Sequence, residues 1–213
     1  IWLRDMMTGD LGRSTVTGNA VTTDLGERLP ATLELITISL LLSVVVLVPL
    51  GIITARKPKR APSRVFNRGV HTYGMFAGSM PDFWLAQILL FVFFFKLRLA
   101  PAPLGRIDIG VTPPDKLTGF YTIDSLVTGD WIALRSSLEH LILPVIVLVF
   151  VYGAPILKMT RSTVAKNLDS EFVQQARSAG IRERTQLEMS FINTLSPVIT
   201  LAAITYGFII GGA

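Results

Sequence analysis

The chain has 213 residues, half of them hydrophobic and only 16% charged, with a formal charge of +5; a soluble domain carries about 25% charged residues. These figures exclude a disordered chain and argue against an ordinary soluble domain. With no cysteine, a disulfide framework, a thiolate zinc site, an iron–sulfur cluster and a cysteine nucleophile are excluded. The pI of about 9.8 fits a nucleic-acid partner or merely the orientation of a membrane protein, and only the positions of the basic residues can separate the two.

In chain order, residues 1–28 read as a polar external loop, with Arg4, Arg13 and Arg28 set against Asp5, Asp10, Asp24 and Glu27 and no signal-peptide layout. Because the chain starts on Ile1, a preceding membrane segment is expected outside it. A transmembrane domain then occupies residues 29–213. Its first span, about 31–55, contains 21 uncharged residues from Leu35 to Ala55, enough to cross about 30 Å of hydrocarbon. Fourteen of its residues are Leu, Ile or Val, worth roughly −4 to −8 kcal/mol of insertion before the polar residues are counted. Pro30 suits a first helical turn, Glu34 suits the positive end of the helix dipole, and Pro49 and Gly51 predict a kink near the far end.

Arg56, Lys57, Lys59, Arg60, Arg64 and Arg68 follow with no acidic residue among them, which marks the cytoplasmic side. A nucleic-acid face would need aromatic or helical readers beside them, and the sequence supplies none. The second span, about 69–97, is one long broken crossing in which Pro81 interrupts the helix, Gly74 and Gly78 allow close packing, and Lys96 and Arg98 close the end. Asp82 is its only carboxylate, read either as a pathway residue or as a cap on the helix after Pro81. Residues 100–138, rich in Pro, Gly and Asp, belong outside. The third span, about 139–158, holds Pro144 and Pro155, and the fourth is about 190–213.

The cytoplasmic loop between them, 159–189, carries mixed charge. In Ser162 to Gly180, Val164, Leu168, Phe172 and Ala176 recur every four residues, with Val173 and Ala179 alongside, and this predicts an amphipathic helix. Gly180 is placed for a left-handed cap. Such a helix can dock in a groove of another protein or lie on lipid.

Glu171-Phe172-Val173-Gln174-Gln175-Ala176-Arg177-Ser178-Ala179-Gly180-Ile181, followed by Asn193-Thr194-Leu195-Ser196-Pro197, resembles the EAA loop of ABC-importer permeases. More narrowly it is similar to the B-type subunit of the dipeptide/oligopeptide/nickel branch. Gly9-Asp10-Leu11-Gly12-Arg13-Ser14, Glu27 to Leu35, Pro81-Asp82-Phe83-Trp84, Gly129-Asp130-Trp131 and His140-Leu141-Ile142-Leu143-Pro144 agree, in the expected order. The resemblance implies an all-α polytopic transmembrane helical bundle of the ABC type I importer permease fold, with four spanning helices in this chain, in the inner (cytoplasmic) membrane of a prokaryote. It implies an ATPase-coupling role for Glu171, Phe172, Ala176, Arg177, Ala179, Gly180, Ile181, Asn193 and Pro197. It makes Asp82, Phe83 and Trp84 candidates for the pathway.

The partners it implies are a second (C-type) permease subunit, two cytoplasmic ATPase subunits, an external substrate-binding protein and membrane lipid, with no nucleic acid. ATP and Mg2+ would belong to the partner ATPase and no cofactor to this chain. The substrate class is di- or oligopeptides, the alternatives being nickel or another small solute, or a self-contained secondary transporter. The chain departs from the family in carrying Gln174-Gln175-Ala176 where the motif begins Glu-Ala-Ala. It also has Asp82 where Ser is usual, and Glu188, Ser190 and Ile192 where basic residues are usual, which implies a matched ATPase partner.

No phosphate-binding Gly-Lys-Ser or Gly-Lys-Thr occurs, so ATP hydrolysis by that route is excluded. His71 and His140 are too far apart in sequence for a zinc motif and read as packed or interfacial residues. No nucleophile elbow, paired-carboxylate motif or internal repeat is visible. Trp2, Trp84 and Trp131 read as interface anchors.

Overall fold

The computed structural model describes residues 9–56 and 61–212. Lys57, Lys59 and Arg60 of the basic cluster, and Trp2, lie outside the described residues. Helix α1 (Val21–Ala55) begins well before Pro30, so among the described residues the polar stretch is loop only over 9–20, and Pro30 is not a first-turn residue. Two local causes move the start. Asp24, in the first turn, accepts hydrogen bonds from the Thr17 hydroxyl and, at 3.2 Å, from the Asn19 amide, which closes the N-terminal end. Pro30 has no N–H to offer the Gly26 carbonyl; Lys116 Nζ donates to that carbonyl instead at 3.4 Å.

The second predicted crossing is a sharply bent pair. Helix α2 (Ala61–Ala77) and helix α3 (Asp82–Leu90) meet at 109° across Gly78–Pro81. Pro81 holds the extended conformation that a proline ring permits and so starts a new helix in a new direction. Beyond Leu90 the chain continues in π-helical form, Phe91–Lys96. Arg98, at φ +53, sits in the left-handed region just beyond it.

The predicted external loop contains helix α4 (Tyr121–Thr128), ended by Gly129 at φ +75. It also holds the beginning of helix α5 (Trp131–Leu168), a 38-residue element. Asp130 fixes that start by accepting from the amides of Ile132 and Ala133 at 3.2 and 3.0 Å. The uncharged run understated α5 because charged residues, Arg135 and Glu139 before it and Lys158, Arg161 and Lys166 after it, bound its apolar centre. Helix α6 (Glu171–Ser178) and helix α7 (Glu183–Gly212) complete the chain. The expected single amphipathic helix over Ser162–Gly180 is therefore two, broken at Asp169–Ser170. Ser170 adopts extended backbone there, and its hydroxyl donates to the Asn167 carbonyl, competing with continuation of α5.

Helix α5 is the hub. Leu47, Val70 and Leu157 join it to α1 and α2, and Val48, Ile156 and Val198 join it to α1 and α7. The α1–α5 contact relies on glycine: a Cβ on Gly51 would lie 2.9 Å from Thr160 Cβ and 3.2 Å from the Leu157 carbonyl oxygen. Small residues are what lets helices approach where lipid supplies no hydrophobic drive. Buried Ser43, Ser137, Thr160, Ser190 and Thr194 each donate to the carbonyl four residues earlier, so these hydroxyls are satisfied within their own helices. Gly51→Val is expected to lower stability by about 1–3 kcal/mol through overpacking, read as a reduced thermal midpoint of the solubilised full-length protein. An unchanged midpoint would mean that α1 and α5 do not meet at this position.

Candidate functional site

Two regions collect the residues singled out by sequence. The first is α6 and the turn after it. Val173 is fully buried and Ala176 nearly so, so this face packs against the chain itself. Glu171, Gln174, Gln175, Arg177 and Ser178 face outward, and so does Phe172, at 37% exposure. Periodicity placed Phe172 on the packed stripe with Val164 and Leu168. The break at Ser170 resets the phase, and Val173 takes the inward position instead. Ala179 is exposed as well.

The end of α6 is a Schellman closure. Ile181 N donates to the Ala176 carbonyl at 3.0 Å, Gly180 N donates to Arg177 O at 3.0 Å, and Gly180 stands at φ +76. The chain then returns to the bundle. The Gln186 side chain, buried at the start of α7, donates to the Ile181 carbonyl at 2.7 Å. Arg56 at the end of α1 donates to the Glu183 carbonyl at 3.3 Å. At the end of α5, the Asn167 amide donates to Ser190 O at 3.0 Å and Thr194 Oγ1 at 3.2 Å, binding α5 to α7 beside the site. Asn193 and Pro197 are not part of the α6 turn. They lie within α7, one turn apart, and Pro197 lacks the amide that would pair with the Asn193 carbonyl. Asn193 is exposed and bonds its own helix at Met189 O, 3.0 Å away.

The second region is a cleft of about 440 Å³ between α1, α3, the 101–105 loop and α5. Asp82, Phe83, Glu139, His140 and Leu143 are among its lining; Trp84, 45% exposed, is not. Asp82 accepts from its neighbour's amide, Phe83 N, at 2.7 Å and from the Tyr152 hydroxyl at 2.8 Å. It thus ties the start of α3 to the middle of α5. The Tyr152 ring in turn lies 6.3 Å from that of Phe208 on α7. His140 is packed: its Nδ1 lies 2.9 Å from Ser136 O, and its Nε2 is 3.9 Å from Asp108 Oδ1. Among the described residues no group of three His, Asp or Glu side chains could hold a metal ion.

The segment around residues 100–138 and the helix end beside it contain residues that local patterns did not distinguish. Glu34, read from sequence as a helix-dipole residue, is buried and forms an ion pair with Arg106. It also accepts from the Thr122 amide at 2.8 Å and from the Thr122 hydroxyl. Arg106 stacks 3.7 Å over the Tyr121 ring and donates to Gly119 O at 3.1 Å. Asp124 is likewise buried. Burial pushes its carboxyl up, but hydrogen bonds from Thr118, Gly119 and Leu117 outweigh that and hold it below the usual carboxylate range. These partners stand 72 and 88 residues from Glu34, and no local pattern could announce them.

With this geometry in place, comparison with known proteins gives one answer. The model of the binding-protein-dependent transport system inner membrane component family matches residues 47–213. The chain is 33% identical over its whole length to the probable D,D-dipeptide transport system permease protein DdpB of Escherichia coli (strain K12), covering 61% of that protein. It is 31% identical, also over its whole length, to the dipeptide transport system permease protein DppB of Alkalihalophilus pseudofirmus, covering 62% of it. The oligopeptide transport system permease protein AppB of Bacillus subtilis is 30% identical, with 60% of its length covered. The chain spans about three fifths of the length of these relatives. A bundle of helices long and apolar enough to span a membrane, with a short helix between two of them, matched by the family model over most of its length, places this chain in the family of binding-protein-dependent transport system inner membrane components.

Proposed function

We propose that the complete protein is the B-type permease subunit of an ABC importer that brings di- or oligopeptides across the inner membrane. The observation that supports this reading best is the division of labour on α6. Val173 and Ala176 anchor it to the bundle, while Glu171, Phe172, Gln174, Gln175 and Arg177 form an exposed outer face on the short helix between α5 and α7. That face fits a groove on a cytoplasmic ATPase subunit, with Glu171, Phe172, Ala176, Arg177, Ala179, Gly180 and Ile181 forming or shaping the contact. Asn193 and Pro197 lie in the helix that carries the motion into the membrane. The remaining partners are a second permease subunit, a second ATPase subunit and an external binding protein. ATP and Mg2+ belong to the ATPases. The peptide class rests on the relatives, named for dipeptide and oligopeptide transport.

Asp82 and Phe83 belong to the solute path in this reading, because they line the one described cleft that also holds Glu139 and His140. A carboxylate inside a membrane bundle is costly unless it serves a path or a partner. The test is uptake of labelled dialanine into proteoliposomes holding the full-length subunit, its partner permease, the ATPases and the binding protein. Uptake is expected to require ATP, and Asp82→Asn, which keeps an acceptor for Tyr152 but removes the charge, is expected to lower it about tenfold. ATP-independent uptake would overturn the importer reading. Wild-type rates with Asp82→Asn would return Asp82 to a packing role and leave that reading standing.

A further inference from the structure

The basic residues that orient the chain do more than add charge to one side. On α2, Arg64, Asn67, Arg68 and His71 stand at i, i+3, i+4 and i+7 and so share one helix face. That face lines a cavity of about 370 Å³ with Arg56, from the end of α1, and Arg161, from α5. Asn67 sets the frame: its amide donates to Thr54 O at 3.4 Å and to Arg56 O at 3.2 Å, holding α2 against the end of α1. No carboxylate lines the cavity. Among the described residues, Arg64, Arg68 and Arg161 form no ion pair.

Four guanidinium groups around one space repel each other, and the repulsion grows as the low-dielectric membrane displaces water. An anion at the centre reverses the sign of that interaction. Guanidinium forks match the paired oxygens of a phosphate better than they match a point charge. The cavity also sits between the end of α1 and the first turns of α2, just beyond the uncharged run of the first span; in the orientation that the proposed function requires, this is the height of the cytoplasmic headgroups. Orientation by positive charge requires neither a shared helix face nor the convergence of Arg161 from a distant part of the chain. We propose that this cavity binds the phosphate group of an anionic phospholipid of the cytoplasmic leaflet, clamping α1, α2 and α5 together at their inner ends.

The test uses the full-length permease in detergent, titrated with dioleoyl phosphatidylglycerol or dioleoyl phosphatidylethanolamine and followed by native mass spectrometry. Phosphatidylglycerol is expected to be retained at lower concentration than phosphatidylethanolamine. Arg68→Gln with Arg161→Gln is expected to weaken that retention about thirtyfold. Arg182→Gln with Arg184→Gln removes the same charge outside the cavity and is expected to leave retention unchanged. Neither Arg68 nor Arg161 has an ion-pair partner among the described residues, so the first pair is expected to fold as the wild type does. Equal retention of the two lipids, or equal loss in the two double variants, would overturn the site in favour of a diffuse field. Displacement of phosphatidylglycerol by millimolar inorganic phosphate would assign the cavity to a soluble phosphate instead and overturn the lipid assignment.

Discussion

Gly180→Val is expected to weaken co-purification of the ATPase subunits and ATP-driven uptake about tenfold or more while leaving the permease inserted in the membrane. The cause is backbone conformation, not crowding. Gly180 sits at φ +76, and nothing lies within 4 Å of a Cβ built there. A β-branched residue is held out of that region at a cost of about 1–3 kcal/mol. The cheapest escape is to give up the Ile181-to-Ala176 bond that ends α6, which re-aims the chain entering α7 and turns the outer face of α6 away. Converted to an equilibrium, that strain is worth about tenfold or more in ATPase association. Gly180→Asn separates conformation from side-chain loss, because Asn tolerates the left-handed region, and is expected to retain most of the association. Equal binding and uptake by wild type and Gly180→Val would sink the docking role of α6.

The second large effect lies at the opposite side of the molecule. Glu34→Ala strands Arg106 beside a buried site that has lost its carboxylate, and leaves the Thr122 amide and hydroxyl without their acceptor. Breaking one side of a buried pair costs about 3–5 kcal/mol. Arg106 keeps 26% of its side chain exposed, so water recovers part of the loss and the expected cost is about 3 kcal/mol. It should appear as a lower thermal midpoint and as new proteolytic cleavage in the 101–120 segment. Helix α4 should resist longer, because Asp124 holds the amides of Thr118 and Gly119 independently of Glu34. Arg106→Leu added to Glu34→Leu should recover most of the loss, since an apolar pair has no stranded charge. Additive losses in that double variant would show that the two side chains do not act on each other.

What the sequence reveals and what it hides divide along physical lines. The spanning segments are legible because hydrocarbon cannot solvate a backbone, so long uncharged stretches such as Leu35–Ala55 leave few options. Gly180 is legible for a similar reason: only a few residues fit its conformation. The inward residue of α6 is not legible, because the phase of a helix depends on where it begins, and Ser170 restarts it. The early start of α1 depends on Thr17 and Asn19 meeting Asp24, and on Lys116 answering a carbonyl that Pro30 leaves open. The 109° turn at Pro81 is a matter of degree that a proline announces but does not measure. Glu34 and Tyr152 acquire their meaning only from partners brought near by the bundle.

Helix α5 has 38 residues, about 57 Å at 1.5 Å per residue, nearly twice the thickness of the hydrocarbon. Pro144 and Pro155 fall within it without ending it. Its first residue is set by Asp130 next to α4, and its last turn by Asn167, bonded to α7 directly before α6. A single strut therefore has one tip beside α4 and the other beside α6. Tilting such a strut about its buried middle, where Gly153 meets Ser43 and Leu47, moves the two tips in opposite directions. In the importer proposed above, a pull on the end beside α6 would thereby become an opposite displacement at the end beside α4, gearing the two faces of the membrane to each other through one piece of the chain.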